Sequence, residues 1–416
     1  LKIEFMKRLI GSVFRAIIPI SLFCPLLLML PTNRASGQVM IAGNSENAEV
    51  ASYMQQLKSS DAEVRCDAAT ALSKLRAKAE IVVPALITLL KDADKGVRLC
   101  SALALGEIGA EAKAADEIVS ALIEALKDPD EDVRANVSHA LGDLGEKAKP
   151  AIPALLHVAL EDPTVRGREF APLALGEIDT QATVVIPQLI TALRNHPDPK
   201  VRANAATNLV MVPFGYMGGM VDRKPTENAK TGEEPATFKA ITPALIAALK
   251  DPNGKVRARA AEGLRDYKDG ATEPAVKAAM PTLLTMLKDQ DAEVRASAAS
   301  ALEIFSFGKE ETAAKLVIPD LMTVLRDPDA KVRAVAVSTL GRLGADSKDF
   351  IAELIKLLKD QDGMVRGSAA ETLGLVGSNS EAQSEVQSAS PQLLVLLQDP
   401  NQQVRGNAAQ ALGLIG

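Results

Sequence analysis

The chain has no tryptophan, and aromatic residues make up only 3% of its 416 positions. Surfaces that stack on bases or sugar rings are built from such side chains, so the composition argues against a platform of that kind. Histidine is scarce too: His139, His157 and His196 are all there is, no two at close helical spacing and none beside a glutamate. No metal set and no cofactor site are read from them. No glycine-rich phosphate loop opens a helix after a strand, because no convincing strand is present. A Gly-x-Ser-x-Gly nucleophile turn is also missing. The abundant carboxylates fall at a regular interval, which a scaffold explains better than catalysis does.

The formal net charge is −6. Lys2, Lys7, Arg8, Arg15 and Arg34 against Glu4 make the first 37 residues basic, so the remainder is more acidic than the whole. An acidic body repels phosphate backbones, and nucleic acid is not expected as a partner. Lys7-Arg8, the apolar run Ala16–Leu30 and the small residues Ala35-Ser36-Gly37 have the layout of a secretory signal peptide cut after Gly37. The alternative is a retained membrane anchor. Pro19 and Pro25 interrupt the run, and it is short for a span of ~20 residues. Membrane contact is expected only if the segment is kept. Phe23 before Cys24 does not suit a lipoprotein. The expected location is extracytoplasmic: periplasm, cell envelope or secreted. Beyond the cut only Cys66 and Cys100 remain. They are read as two small helical residues, since a bridge requires Cα atoms within about 7 Å. Export makes such a bridge chemically accessible.

What the chain does have is 47% hydrophobic residues, carried by Ala, Leu, Val and Ile, arranged in a repeat. An apolar helix, an Asp and an Arg six residues later recur as Asp92/Arg98, Asp128/Arg134, Asp162/Arg168, Asp251/Arg257, Asp289/Arg295, Asp327/Arg333, Asp360/Arg366 and Asp399/Arg405, with degenerate copies at Arg65 and Arg202. The Arg-to-Arg steps are mostly 33 to 39 residues. A fixed period of that size marks a stacked array. In residues 240–268, Ile241, Leu245, Ile246 and Leu249 give a first helix, A, one apolar face. Pro243 sits near its start, where a missing N–H costs little, and Pro84, Pro153, Pro187, Pro281, Pro319 and Pro391 recur there. Asp251-Pro252 reads as cap and first residue of a second helix, B, with Val256, Ala260, Ala261 and Leu264 buried. Helix B often ends in Leu-Gly, as at Gly106, Gly142 and Gly341, where the neighbouring backbone can approach closely. A second glycine, Gly109, Gly145 or Gly344, fits the left-handed residue that stops a helix.

These residues resemble the HEAT family, most closely its phycobilisome-lyase-like repeats. The matching text is Pro-x-Leu-x-x-Leu-Leu, then Asp-Pro-Asp-x-x-Val-Arg, then Ala-Ala-x-Ala-Leu-Gly, over nearly all of residues 46–416. The resemblance implies that the Asp and Arg residues form a structural ladder between successive repeats. Metal-binding HEAT hydroxylases use His-Glu pairs, which are missing here. The fold expected is all-α, a right-handed α-solenoid of about ten helical hairpins. Its divisions are a signal peptide 1–37, a short linker 38–45, repeats one to five over 46–212, an inserted loop 213–237, and repeats six to ten over 238–416.

Departures from the period are the functional leads. The Arg202-to-Arg257 step is 55 residues, and the surplus holds Phe214, Tyr216, Met217 and Met220 among glycines. Mobile methionine and aromatic side chains suit an adaptable contact, and an inert linker is the alternative. Repeat four carries Phe170, also a candidate contact, and Pro172, which should kink or shorten its helix. Positions two and five after each ladder Arg, such as Asn136/His139, Asn204/Thr207, Arg259/Glu262, Ser297/Ser300 and Val335/Ser338, are expected to be exposed. The function expected is an exported, non-catalytic scaffold that binds protein or peptide partners on a concave helix-B face. The alternative is a bilin-lyase-like or chaperone-like factor.

Overall fold

The computed structural model describes residues 39–75, 79–109, 114–222, 239–266, 273–306, 311–379 and 383–415. The signal-peptide reading therefore lies outside the described residues. The chain divides into two compact units, residues 1–49 and 50–416. In the described residues every regular element is helical. In order they are α1 (Val39–Gln56), α2 (Ala62–Lys74), α3 (Ala79–Leu89), α4 (Lys95–Gly109), α5 (Ala115–Ala125), α6 (Glu131–Asp143), α7 (Ile152–Glu161), α8 (Val165–Ile178), α9 (Val185–Asn195) and α10 (Pro199–Asp222). Then come α11 (Ile241–Ala248), α12 (Gly254–Asp266), α13 (Glu273–Met286), α14 (Ala292–Ala301), α15 (Glu311–Val324), α16 (Ala330–Arg342), α17 (Lys348–Leu357), α18 (Gly363–Asn379), α19 (Gln383–Gln387), α20 (Ser390–Leu396) and α21 (Gln402–Ile415). Short 3-10 turns cover Gly145–Ala151 and Leu302–Ser306.

From α3 onward each A helix folds back on the B helix that follows it, and each B helix packs against the B helix of the next repeat. The result is an α-solenoid. Its core runs through the stack as one apolar seam. Leu72, Leu105, Leu141, Leu175, Leu209, Leu264, Leu340 and Leu373, at the same place on their B helices, and Leu302 at the equivalent place just past the end of α14, are all 2% exposed or less. No hairpin can shelter these side chains alone, which is why the units must stack. Small residues set the spacing. A methyl group on Gly106 would lie 2.9 Å from Ala140 Cα, and one on Gly374 would lie 2.9 Å from Ala411 Cα, so the first glycine of each pair is a seat for the neighbouring helix. Gly145 and Gly344 adopt positive φ, 55° and 74°, as helix stops. Gly109 does not; it ends α4 in close packing beneath Leu144 and Ile118.

Several local expectations change. The helix of repeat five continues as α10 to Asp222, so residues 213–222 are helical where a loop was expected; residues 223–238 lie outside the described residues. Helix α8 runs through Pro172 for 14 residues and is not shortened. Helices α13 and α15 begin well before Pro281 and Pro319, which become interior positions. Cys66 and Cys100 are not separate residues: they are bonded, with Cα atoms 5.4 Å apart, and tie α2 to α4. They occupy neighbouring rather than identical places in the repeat, so the pairing is hard to see from spacing.

Candidate functional site

The recurring loop between A and B helices has two jobs, and different residues perform them. In Asp128-Pro129-Asp130, the second aspartate is the cap: its carboxylate accepts the N–H groups of Asp132 at 2.9 Å and Val133 at 3.3 Å. Asp61, Asp291 and Asp329 do the same, and Asn253 does so in repeat six. The cap thus sits two residues after the position read from Asp251-Pro252. The first aspartate is released for another task. Its Oδ1 accepts the N–H two residues on, at 2.9 Å for Asp128 and 2.8 Å for Asp251, which fixes the carboxylate's direction.

That direction is toward the preceding repeat's arginine. Arg65 holds Asp92, Arg98 holds Asp128, Arg134 holds Asp162, Arg202 holds Asp251, Arg257 holds Asp289, Arg295 holds Asp327, Arg333 holds Asp360 and Arg366 holds Asp399. Each guanidinium donates through both Nε and Nη2; for Arg134 the distances to the two Asp162 oxygens are 2.6 and 2.9 Å. The remaining nitrogen, Nη1, turns back onto its own loop. Arg98 donates through it to Asp92 O at 2.9 Å and Arg134 to Asp128 O at 2.7 Å. Aspartate and arginine six residues apart are therefore joined through a carbonyl, while carboxylate and guanidinium meet across the joint. The two degenerate copies, Arg65 and Arg202, form complete rungs. The Asp162 side chain is 3% exposed and Arg134 9%, so this rung is shielded from water. Burial pushes the Asp162 carboxyl up, but hydrogen bonds from Arg134 and Thr164 outweigh it and hold it below the ordinary carboxylate range.

Two ladder arginines have no carboxylate among the described residues. Arg405 donates to Asp399 O and Pro400 O only. Arg168 donates to Asp162 O only, at 2.5 Å, because His196 stands where the next repeat would supply aspartate. Sequence reasoning passed over this. It also passed over a replacement clasp at the same joint, where Asn204 and Asn208 of α10 donate to Leu160 O at 2.7 Å and Ala159 O at 2.9 Å. Asp179, 4% exposed, was missed as well. Its carboxylate accepts N–H groups of Val184 at 2.8 Å and Val185 at 2.9 Å and so starts α9.

The helix-B positions two and five after each arginine form a row that is half-buried rather than open. His139 and Thr207 are exposed, Asn136, Phe170, Asn204, Arg259 and Val335 are intermediate, and Ser297 is buried. Tight packing between adjacent B helices hides what isolated hairpins would show. Phe170 has the Arg166 guanidinium 5.9 Å from its ring centroid. Phe214, Tyr216, Met217 and Met220 lie on the last turns of α10, and their side chains are outside the described residues. Among the described residues, no group of three or more His, Cys, Asp or Glu is arranged to hold a metal, and no helix is long and apolar enough to cross a membrane.

The HEAT-repeat family matches residues 50–118, 110–176, 242–317 and 318–386 as HEAT repeats, and 185–212 and 390–416 as single HEAT repeats. The chain belongs to the HEAT-repeat family. No curated protein matches it. Among solved structures it is similar to an engineered protein, at 23% identity with a TM-score of 0.41, covering 88% of this chain and 98% of that one. It is also similar to the karyopherin Kap121p. One structure, bound to Pho4p, gives 18% identity and a TM-score of 0.58, covering 89% of this chain and 42% of that one. Another, bound to the extreme C-terminus of the protein phosphatase Cdc14p, gives 17% identity and a TM-score of 0.58, covering 89% and 42%. The chain thus spans about two-fifths of the karyopherin's length, and what is shared is the fold.

Proposed function

We propose that this protein is a non-catalytic scaffold that binds a protein or peptide along its row of B helices. The observation that carries the reading is the division of labour within each repeat. The regularly spaced charged groups are spent on rungs at the helix ends. The B helices, which touch along their lengths while the A helices meet their neighbours at few residues, line up a half-buried strip of mixed character. Closer packing on the B side makes it the inner side of any curvature. Such a strip suits an extended segment more than a small substrate. The karyopherin structures, with Pho4p or a Cdc14p terminus bound, lend the fold precedent for that use.

Photocrosslinking tests it. A crosslinking residue at Ser300 or Ser338 on the B helices should capture a discrete partner from an envelope extract, whereas the same residue at the exposed Thr88 or Thr285 on A helices should not. Capture only from the A-helix positions would overturn the assignment of the face. The likeness to phycobilisome-lyase repeats rests on the motif text and supports a second reading, a bilin-lyase-like factor. A shift in pigment absorbance on adding a free bilin to the purified chain would favour it; the scaffold reading expects none.

The same proposal has the protein exported. The basic, apolar and small-residue layout of residues 7–37 supports this. So does the Cys66–Cys100 bridge, since such bonds persist in oxidising compartments. Residues 1–45 fused to alkaline phosphatase should give activity outside the cytoplasm, lost on Leu27→Arg. Activity independent of that substitution would argue against export.

A further inference from the structure

One joint inside the array lacks its carboxylate, and the groups around it are built for one. Arg168 keeps the posture of the other ladder arginines, with Nη1 anchored on the carbonyl six residues back. In Arg134 and Arg202 the same Nη1 anchor goes with an Nε/Nη2 edge that meets the following loop's aspartate, and in Arg168 the planar guanidinium, anchored alike, has that edge left over among the described residues. The loop backbone is also in register: His196 O accepts from Arg202 Nη1 at 2.8 Å, as Asp251 O accepts from Arg257 at 2.9 Å. The His196 side chain therefore leaves the chain where a rung carboxylate would. Its Nδ1 accepts the Asp198 N–H at 3.2 Å, copying the bond an aspartate Oδ1 makes. A neutral imidazole that accepts at Nδ1 carries its proton on Nε2, so the group that replaces the acceptor is itself a donor.

None of the nearby carboxylates is hydrogen-bonded to Arg168 among the described residues. Asp162 is held by Arg134 and Thr164, and the Asp198 carboxylate accepts the Lys200 N–H. Arg194 and Lys200, both exposed, add positive charge beside the loop. Arg166 is engaged with Asp132.

We infer that this open rung binds an oxyanion, a carboxylate or a phosphate, between the Arg168 guanidinium and His196 Nε2. The anion completes the joint between repeats four and five. It can come from an acidic side chain of a partner or from a free inorganic anion, and this inference stands apart from the helix-B reading.

The test follows thermal unfolding of the full chain at constant ionic strength, with chloride exchanged for phosphate or acetate, and in parallel with an acetylated, amidated Glu-Glu-Leu peptide. Saturable stabilisation is expected for the wild type. Arg168→Gln should weaken the apparent affinity roughly tenfold or more, since a charge-assisted bidentate contact is lost. His196→Asp should raise the midpoint without added anion and abolish its dependence on anion, because the joint then supplies its own carboxylate. The imidazole resonance of His196 should move on titration while His139 and His157 stay still. Equal anion effects in all three proteins, or an unmoved His196 resonance, would overturn the inference. Tighter binding of the peptide than of phosphate identifies a partner side chain as the source; the reverse order identifies a free anion.

Discussion

A rung arginine has three nitrogens that can donate, and each has a fixed destination. Removing the aspartate from a rung frees two of those donations in a shielded place. For the most buried pair, Asp162→Ala should cost about 3 kcal/mol, because an unpaired cation left behind is worse than a missing contact. Thermal or urea unfolding would measure it, and a cost below about 1 kcal/mol would class the pair with exposed salt bridges. The rungs also set a pH dependence. At Asp92, Asp162, Asp251, Asp327 and Asp360, burial raises the carboxyl, but the arginine and backbone hydrogen bonds more than offset it and leave it lowered. At Asp399 the Arg366 hydrogen bond is itself the largest influence. A carboxyl lowered in the fold stabilises it fully above the free value of about 3.9, and the contribution disappears as pH falls through the folded values. Circular dichroism should therefore show rung-dependent stability level from about pH 5 to 7 and falling steeply below about pH 4. A fall beginning near pH 6 would assign acid sensitivity to other groups. The identity of the rung residues was legible in the sequence, because they recur. That they link successive repeats was legible only through the family resemblance; which arginine meets which aspartate was not, since a spacing of six residues within one loop by itself suggests a local pair.

At the level of helices, the repeat period and the Leu positions were enough to place the hairpins, because burial of the same apolar positions is what drives stacking. Helix starts were less legible. Proline was read as a first-turn marker, but the helix formers in 275–280 and 313–318 extend α13 and α15 ahead of Pro281 and Pro319. Glycine has two roles that a sequence does not separate. Gly374 is a seat for Ala411, whereas nothing lies within 4 Å of a methyl group placed on Gly406. Gly374→Ala should therefore destabilise by about 1–3 kcal/mol through overpacking, even though alanine favours helix. Gly406→Ala in α21 should stabilise by roughly 0.5–1 kcal/mol. Opposite shifts of the unfolding midpoint are the check; shifts of the same sign would mean that propensity alone governs both sites.

For the whole molecule, a stack of neighbours unfolds by neighbourhoods. The Cys66–Cys100 bond closes a separation of 34 residues, for which loop entropy gives a stabilisation of about 4 kcal/mol. That stabilisation is confined to the first two repeats, because nothing covalent carries it further. In hydrogen exchange, adding a reductant or substituting Cys66→Ser should raise exchange in residues 50–109 and leave 239–415 unchanged. A uniform rise would reveal coupling across the array that nearest-neighbour stacking does not provide.

The split grip of each guanidinium, one nitrogen on its own loop and two on the next, also constrains how a gene for such a protein can change in length. Recombination between equivalent arginine codons inserts or removes a complete unit and keeps the register of cation and acid. A crossover at any other offset strands a positive charge at the seam. Growth and shrinkage are therefore quantised, and the hairpin is the quantum.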